Sequence, residues 1–424
     1  MKYCILVCDG AADWKIKALG NKTIFEVADT PNMDWLAQNG KMGLLQTVPD
    51  SMPPGSECAN MTIMGYNPET DLTGRGPLEA LSSGVKMNET ELAYRCNLIT
   101  IQDGLIKDYS SGHITTDEAR PLIKLIDEEF GRDGVHFFPG VQYRHILKLS
   151  GEEFSENISL TPPHDELDKP YKDFLVKAKD LDDEKAKYTA NYMNELIEKS
   201  RQILLDHPIN KQRNERGENL ATNVWFWSGG RKPNIKTFRD KYGLTGAVIS
   251  AVDLIFGIGI AAGLKPIHVE GATGLPNTNY KGKADAGIDA LKERDFLYLH
   301  VEATDEMGHA GDYKKKISAL EDFDSKVVKR FIQAEDMFNN ELVICVLPDH
   351  PTPCEIRTHS REPVPFVIYK PGKSNKRFSL LNRGFSEESG RKGEFKVVRT
   401  GKSFMSFVLG SNMDENIDAN SYKK

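Results

Sequence analysis

The sequence predicts an α/β fold in which helices flank a mostly parallel sheet and a smaller α+β domain is inserted. Three short apolar runs have the length and composition of buried strands: Tyr3–Cys8, Phe296–Val301 and Leu342–Leu347. Apolar residues recur at helical spacing between them, as in Ile317–Ile332. Strands that alternate with helices along a chain favour a parallel sheet.

The length and a change in composition predict two domains. The chain has 424 residues, which exceeds the size at which one hydrophobic core usually stops growing. Between residues 88 and 218 the sequence becomes polar and acidic, with few long apolar runs. We therefore expect a main domain at 1–87 and 219–424 and an inserted domain at 88–218. The apolar run Ala221–Trp227 is expected to return the chain to the main sheet.

The composition is that of an ordinary globular protein and disfavours a nucleic-acid or membrane partner. The net charge is -7, and the basic residues are scattered among acids, so no basic stripe could neutralise a nucleic-acid backbone. We interpret the one basic cluster, Lys314–Lys316, as a solvated face at the start of a helix. No apolar run is long enough to span a membrane, and Tyr3–Cys8 lacks a signal-peptide cleavage site.

The cysteines indicate a reducing compartment. Their spacing matches neither a disulfide framework nor a zinc site. The six residues are Cys4, Cys8, Cys58, Cys96, Cys345 and Cys354. A cytoplasmic location fits best, and the sequence does not determine an oligomeric state.

Polar side chains follow each of the three predicted strands. Asp9 follows the first, the segment Glu302–His309 follows the second, and Asp349 and His350 follow the third. Ligands of open α/β sheets bind outside the carboxyl ends of the strands, so we expect these side chains to converge. The competing interpretation for Asp349 and His350 taken alone is a capped turn.

Two further imidazoles could join this group. Asp305 and His309 stand four residues apart, so a helical turn would place them on one side, where they could share a metal ion. His359 lies in the loop beyond His350. Pairs with this spacing also arise by chance on solvated surfaces. Mixed oxygen and nitrogen ligands suit manganese, with zinc or magnesium as alternatives.

Ser56 is the candidate nucleophile. It follows Pro54–Gly55, and the residues after it could begin a helix whose N-terminus favours a phosphate. The competing interpretation is an ordinary N-cap serine. Two divalent ions beside Ser56 would bind phosphoryl oxygens and lower the pKa of its hydroxyl group.

Several motifs together resemble those of the archaeal-type cofactor-independent phosphoglycerate mutases, which are members of the alkaline phosphatase superfamily. The motifs are Asp9–Asp13, Pro54–Glu57, Thr73–Ala80, and Asp349–His350 ahead of Pro363–Pro365. The resemblance spans nearly the whole chain and implies an alkaline-phosphatase-like catalytic domain. It also implies two metal sites, one formed by Asp9, Ser56, Asp349 and His350 and the other by Asp305, His309 and His359.

The resemblance further implies a reaction. Ser56 would attack the phosphate of 3-phosphoglycerate, the glycerate would reorient, and the phosphoryl group would return to the neighbouring hydroxyl to form 2-phosphoglycerate. No 2,3-bisphosphoglycerate would be needed. The phosphoserine must be kept from water, which the inserted domain could do by closing over it.

The resemblance also suggests substrate contacts. His113 resembles the histidine that the family uses near the transferring phosphoryl group. Arg75, Arg95 and Arg144 could each bind a carboxylate or phosphate with a guanidinium fork. Surface ion pairs are the alternative for these arginines. The family-like patch His164–Asp165 has no role that the sequence defines.

One departure from the family pattern keeps alternatives open. Mutases of this type carry glycine before the Asp-His pair, whereas this chain has Pro348. The variant resembles a bacterial branch proposed to act as homoserine kinase, which would use the same serine and metals. A phosphomonoesterase is a further alternative. A non-catalytic binding protein is disfavoured because every expected ligand position is filled and buried polar groups are costly.

Overall fold

The computed structural model describes residues 1–372 and 383–410. The strands in these ranges are β1 Lys2–Cys8, β2 Lys41–Leu45, β3 Leu92–Gln102, β4 Leu105–Asp108, β5 Val135–Val141, β6 Arg144–Leu149, β7 Ile158–Ser159, β8 Lys177–Ala178, β9 Asn223–Arg231, β10 Gly246–Ile249, β11 Lys265–Pro266, β12 Phe296–Val301, β13 Leu342–Leu347, β14 Val364–Tyr369 and β15 Val397–Val398. The α-helices are α1 Pro31–Asn39, α2 Ser56–Ile63, α3 Pro68–Asp71, α4 Arg75–Ser82, α5 Thr116–Phe130, α6 Glu184–Asp206, α7 Pro208–Glu215, α8 Phe238–Tyr242, α9 Asp253–Ala261, α10 Tyr280–Glu293, α11 Ala303–Ala310, α12 Tyr313–Phe323, α13 Lys329–Gln333, α14 Glu387–Lys392 and α15 Gly401–Leu409.

The chain divides into two compact units. One unit, Met1–Leu72 with Ile235–Lys424, contains the predicted ligands and is named the catalytic unit after that prediction. The other, Thr73–Asn234, is named the inserted unit. The predicted insert, 88–218, is therefore shorter than the observed unit at both ends. The reason is local packing: α4 lies against β3 and β9, and Gly76 approaches the Ser228 carbonyl so closely that a Cβ would lie 2.7 Å from that oxygen.

The catalytic unit contains the predicted, mostly parallel sheet. The order of its eight described strands is β11-β10-β12-β1-β13-β14-β2-β15. Among these strands, β14 alone runs antiparallel to its neighbours β13 and β2. The three predicted strands are confirmed as β1, β12 and β13, which lie side by side. Apart from Lys2 in β1 and His300 in β12, their residues are apolar and largely buried, as expected of strands that are covered on both faces.

Helices connect and cover these strands. Contacts join α10 to β12, α9 to β10 and α1 to β14. The helix predicted at 317–332 is confirmed as α12 and α13, which are joined by a π-helical turn at Asp324–Val328. The buried carboxylate of Asp324 accepts hydrogen bonds from the backbone N–H groups of Asn32 and Met33 and so ties this helix to α1.

The inserted unit has its own sheet and core. In this sheet β3 pairs antiparallel with β4, β6 and β9, and β6 pairs with β5. The expectation that Ala221–Trp227 returns to the main sheet is wrong, because β9 aligns with β3 along Leu92–Ile99. Helices α5 and α6 cover the sheet and bury a core that includes Trp225 and Phe226.

Within the described residues, no helix is both long enough and apolar enough to cross a membrane.

Candidate metal centre and nucleophile

Three parallel strands place the candidate ligands at one edge of the main sheet. Cys8 is level with Val301 in β12, and Val7 is level with Leu347 in β13, so all three strands leave the sheet at the same height. Asp9 directly follows β1, and Asp349 follows β13 by two residues. The predicted convergence at the carboxyl ends of these strands is present.

The first group surrounds His350, which is completely buried. Its Nε2 lies 3.6 Å from Asp9 Oδ1, 3.5 Å from Asp349 Oδ2 and 3.1 Å from Ser56 Oγ. All four side chains expected at one metal site therefore lie around a common point.

The second group consists of Asp305, His309 and His359. Helix α11 turns Asp305 and His309 to the same side, as the spacing predicts, with 3.2 Å between His309 Nε2 and Asp305 Oδ2. His359 Nε2 lies 3.4 Å from Asp305 Oδ1 and 3.0 Å from His309 Nε2. The ligand atoms of these three residues all lie within 4.8 Å of one another.

The chemistry of both groups fits divalent ions. Three buried carboxylates, those of Asp9, Asp305 and Asp349, are concentrated here. Burial and the negative charges of Asp349 and Asp305 raise the pKa of Asp9 well above its usual range, so a divalent ion beside Asp9 would relieve the repulsion among these carboxylates. Asp9 Oδ1 is buried and has no hydrogen-bond partner among the described residues. An oxygen in this position suits a metal ligand.

The tautomer of His309 also favours an ion. Its Nδ1 lies 3.0 Å from the Arg357 carbonyl oxygen, which can only accept, so Nδ1 carries a proton. Metal-binding histidines commonly use this arrangement, because it directs the other nitrogen, here Nε2, at the metal.

Supporting residues that the sequence analysis missed orient the ligands. Asn60 donates to Asp349 Oδ2 at 2.8 Å, and the Gly10 N–H donates to Asp349 Oδ1 at 3.0 Å. The Thr352 hydroxyl donates to Asp305 Oδ1. Asn60 lies on α2, one helical turn after Ser56. This spacing could have predicted that Asn60 lies on the same side of the helix as the candidate nucleophile.

Ser56 begins α2 rather than capping it. Gly55 is the N-cap residue, with an extended backbone, and Ser56 is the first helical residue. The N-cap interpretation of Ser56 is therefore wrong, and its hydroxyl is free to approach His350. The first N–H groups of a helix have no partners within the helix, so a phosphoryl group on Ser56 would lie beside donors.

The interpretation of Lys314–Lys316 as a solvated face is wrong for Lys316. This side chain is completely buried, and its Nζ donates to Asp13 Oδ2 at 2.8 Å, to the Thr352 carbonyl at 2.8 Å and to the Ala12 carbonyl at 3.2 Å. The lysine therefore joins the loop after β1 to the loop after β13, and both loops carry candidate ligands.

In the inserted unit, two of the predicted substrate contacts, Arg95 and His164, lie against Trp227. The Arg95 guanidinium lies 3.9 Å from the centre of the Trp227 ring, and the His164 ring lies 5.1 Å from it. Glu79, which the sequence analysis missed, pairs with Arg95 at 3.0 Å and with Arg75 at 3.7 Å.

The pKa shifts of Arg95 and His164 reflect burial and the charged groups around them. Burial lowers the pKa of Arg95 to about 10, and the charges of Arg75 and Arg144 lower it further against the opposing effect of Glu79. Burial also lowers the pKa of His164, against the effect of Asp165. Arg95 is buried, so the surface ion-pair alternative does not apply to it.

His113 lies in a different setting from this cluster. It occupies an exposed turn, with a left-handed backbone at φ 51, and its N–H donates to Ser110 Oγ at 3.2 Å. Tyr109, at the start of the same turn, lies with its ring 5.9 Å from that of His164. The role expected of His113 stays a prediction.

Metal affinity at the second group should increase with pH. The hydrogen bond to Asp305 raises the pKa of His309 to about 9, so the imidazole is protonated at neutral pH and an ion must displace that proton. Affinity should rise by up to about tenfold per pH unit from neutrality until the pH reaches this pKa. Calorimetric titration of metal-free protein with Mn²⁺ from about pH 6.5 to 8.5, in buffers of different ionisation enthalpy, would count the released proton. Affinity independent of pH would contradict the assignment.

A family model and several curated relatives point to the same protein family. The model of the family described as "2,3-bisphosphoglycerate-independent phosphoglycerate mutase" matches residues 37–210. A curated relative of that name from Methanosarcina barkeri is 46% identical over 399 residues, covering 94% of this chain and 97% of its own. A probable mutase of the same type from Geobacter sulfurreducens is 41% identical over 413 residues, covering 96% of this chain and 100% of its own.

Solved structures agree with the sequence relatives. A protein from Pyrococcus horikoshii matches with a TM-score of 0.79 and 28% identity, covering 96% of each chain. The cofactor-independent phosphoglycerate mutase from Thermoplasma acidophilum matches with a TM-score of 0.67 and 27% identity, covering 97% of this chain and 99% of its own. Both the fold and the sequence therefore match over nearly the full length of these relatives.

Proposed function

This chain belongs to the 2,3-bisphosphoglycerate-independent phosphoglycerate mutases, and from that premise we propose that it interconverts 3-phosphoglycerate and 2-phosphoglycerate through a phosphoserine on Ser56. The observation that supports this proposal most strongly is the convergence of six acidic and imidazole side chains beside Ser56 Oγ. The relatives' names do not favour the homoserine kinase alternative, although Pro348 departs from the family pattern.

Two divalent metal ions fit the candidate site. Asp9, Ser56, Asp349 and His350 would hold one ion. Asp305, His309 and His359 would hold the other. Divalent ions held by these residues would coordinate the phosphoryl oxygens and make the serine hydroxyl easier to deprotonate. The mixture of carboxylate and imidazole ligands supports manganese.

The residues of this chain position the reacting groups. Helix α2 begins at Ser56 and holds the hydroxyl at its N-terminus, where the free N–H groups and the helix dipole favour the negative charge of a phosphoryl group. Asn60 donates to both the Ser56 carbonyl and Asp349, each at 2.8 Å, and so connects the nucleophile to a ligand. A glycerate bound near the resulting phosphoserine would take back the phosphoryl group at its other hydroxyl.

We propose that the inserted unit binds the anionic groups of the substrate. Arg75, Arg95 and Arg144 supply guanidinium groups, and Trp227 and Glu79 hold Arg95 in place. His113 is proposed to contact the transferring phosphoryl group, while His164 and Asp165 lie at the edge of the three arginines.

The six cysteines are all free and buried, which supports a cytoplasmic location.

Replacement of Arg95 by lysine should weaken substrate binding. A lysine keeps the charge but loses the planar fork and its stacking on Trp227, so we expect KM for 3-phosphoglycerate to rise by about tenfold or more. Steady-state kinetics would measure this effect. Arg132→Lys, at a side chain that is 45% exposed in the same unit, is the matched control and should leave KM unchanged. An unchanged KM for Arg95→Lys would remove Arg95 from the substrate site.

The proposed function is tested on one preparation of Mn²⁺-loaded protein with three assays. Conversion of 3-phosphoglycerate is coupled to enolase, phosphorylation of homoserine is followed with ATP, and release of inorganic phosphate is measured from 3-phosphoglycerate. We expect turnover in the first assay with little released phosphate. Activity confined to the ATP assay would identify a homoserine kinase, and stoichiometric phosphate release would identify a phosphomonoesterase.

A further inference from the structure

We propose that Asn97 is a positioning residue whose amide group holds the ring of Trp227, on which the Arg95 guanidinium stacks, in the orientation that Arg95 needs to bind an anionic group of the substrate. The inference rests on the proposed function in taking Arg95 as a substrate contact. Sequence reasoning did not single out Asn97, because one polar residue inside an apolar strand carries no local signal of its partner.

Strand pairing places these side chains on one face of the inserted sheet. Arg95 and Asn97 stand two residues apart in β3, so their side chains point to the same face. Trp227 in β9 is level with Arg95, and Arg144 in β6 is level with Asn97. Residues directly opposite each other in a sheet share a face. This face therefore carries two of the three candidate arginines together with Trp227 and Asn97.

The partners of the Asn97 amide determine its orientation. Its Oδ1 lies 3.0 Å from Trp227 Nε1, a nitrogen that can only donate, so the oxygen accepts this hydrogen bond. Its Nδ2 lies 3.2 Å from the Tyr109 carbonyl oxygen, which can only accept, so the nitrogen donates. The opposite orientation of the amide would lose both bonds. Asn97 is 1% exposed, and it joins the indole to the turn that begins at Tyr109.

The turn that begins at Tyr109 is itself held by hydrogen bonds. The Asp108 carboxylate accepts from the N–H groups of Ser110 and Gly112, each at 2.7 Å. Asn219 Nδ2 donates to the same carboxylate at 2.7 Å. Asn97 therefore fixes Trp227 to a braced part of the inserted unit.

The stack on Trp227 sets the plane of the Arg95 guanidinium. Arg95 Cζ lies 3.9 Å from the centre of the Trp227 ring. Arg95 Nε lies 3.0 Å from Glu79 Oε2 but has no hydrogen-bond partner among the described residues, so this ion pair alone does not direct its N–H groups. The Nε of Arg75 is also buried without a hydrogen-bond partner in that part of the chain. Buried N–H groups without partners are costly, and carboxylate or phosphate oxygens would satisfy them.

Two substitutions test the inference by kinetics of Mn²⁺-loaded enzyme coupled to enolase. Asn97→Leu keeps a similar volume and removes both hydrogen bonds, whereas Trp227→Phe keeps an aromatic face for Arg95 and removes only the N–H donor. We expect each to raise KM for 3-phosphoglycerate by about three- to tenfold and to change kcat by less than about twofold, because a binding group loses its support. Asn214→Leu, at an exposed position of α7 in the same unit, is the control and should leave both constants unchanged.

A double-mutant cycle separates positioning from a merely structural role. If Asn97 acts through Arg95, Asn97→Leu should raise KM by less than about twofold in the Arg95→Lys background, where the planar stack is already lost. The same cycle with Trp227→Phe keeps the test decisive if Asn97→Leu does not fold. Effects on KM that multiply in the double variants, or a native KM in Trp227→Phe, would overturn the proposal.

Calorimetric titration with 3-phosphoglycerate distinguishes failure of this inference from failure of the proposed function. Native protein that binds 3-phosphoglycerate without converting it would refute the mutase reaction, and the same three- to tenfold loss of affinity in Asn97→Leu would still support this inference. Native turnover with an unchanged KM in Asn97→Leu would sustain the proposed function and refute the role of Asn97. Native protein that neither binds nor converts 3-phosphoglycerate would refute both.

Discussion

The Ser56→Ala variant is expected to lose mutase turnover by at least about 10⁴-fold, because it removes the hydroxyl that we propose forms the phosphoenzyme. Ser56 Oγ lies 3.1 Å from His350 Nε2 at the start of α2, where the helix N-terminus favours a phosphoryl group. Enolase-coupled kinetics would measure the loss. Mass spectrometry after acid quenching should find the phosphoryl group on Ser56 in the native enzyme.

The control for this variant is Ser51→Ala. Ser51 is exposed and its hydroxyl donates to Glu69, away from the candidate ligands. Its replacement should leave turnover unchanged. If Ser56→Ala kept native activity, the phosphoserine route would be wrong, and a phosphorylated peptide that lacks Ser56 would point to another nucleophile.

The Lys316→Met variant is expected to destabilise the catalytic unit by about 3–5 kcal/mol, because it leaves the Asp13 carboxylate buried without its partner. The Lys316 and Asp13 side chains are 0% and 1% exposed, so water cannot replace the lost contact. Asp13 also accepts from the Cys354 N–H at 3.2 Å, so the disturbance should reach the loop that carries Asp349 and His350. Thermal unfolding followed by circular dichroism would measure the effect.

The neighbouring lysine provides a matched control for this prediction. Lys315 is 70% exposed and pairs with Asp312 at the surface, so Lys315→Met should change stability by less than about 0.5 kcal/mol. Adding Asp13→Asn to Lys316→Met removes the unpaired charge and should restore part of the stability. Equal stability of the two single variants would mean that the buried pair contributes nothing.

The strands and ligands of the catalytic unit could be predicted because their signals are local. A buried parallel strand is a continuous apolar run, and its end is marked by the first polar residue, as at Asp9 after Cys8. Asp305 and His309 stand four residues apart, and this spacing places both side chains on one side of a helix. Most of the candidate ligands could be predicted because they stand at a strand end or on one helical turn, whereas His359 lies in a loop.

Features that depend on distant contacts were not predictable in the same way. The apolar run that became β9 has the same composition as a strand of the main sheet, and only its pairing with β3 assigns it to the inserted unit. The predicted boundaries differ from those of the compact units for this reason, since α4 and β9 resemble parts of the main domain until their partners are known.

By itself, the sequence determined the fold class and the choice of Ser56 and the candidate ligands at the carboxyl ends of the strands. Each of these predictions follows from periodicity or from a motif within a few residues. The tertiary structure alone decided that Lys316 is buried against Asp13 and that Asn97 is buried against Trp227. These contacts join residues 303 and 130 positions apart, through helix packing and strand pairing that no local pattern contains. Their role therefore depends on burial, which turns a surface-type side chain into a structural one.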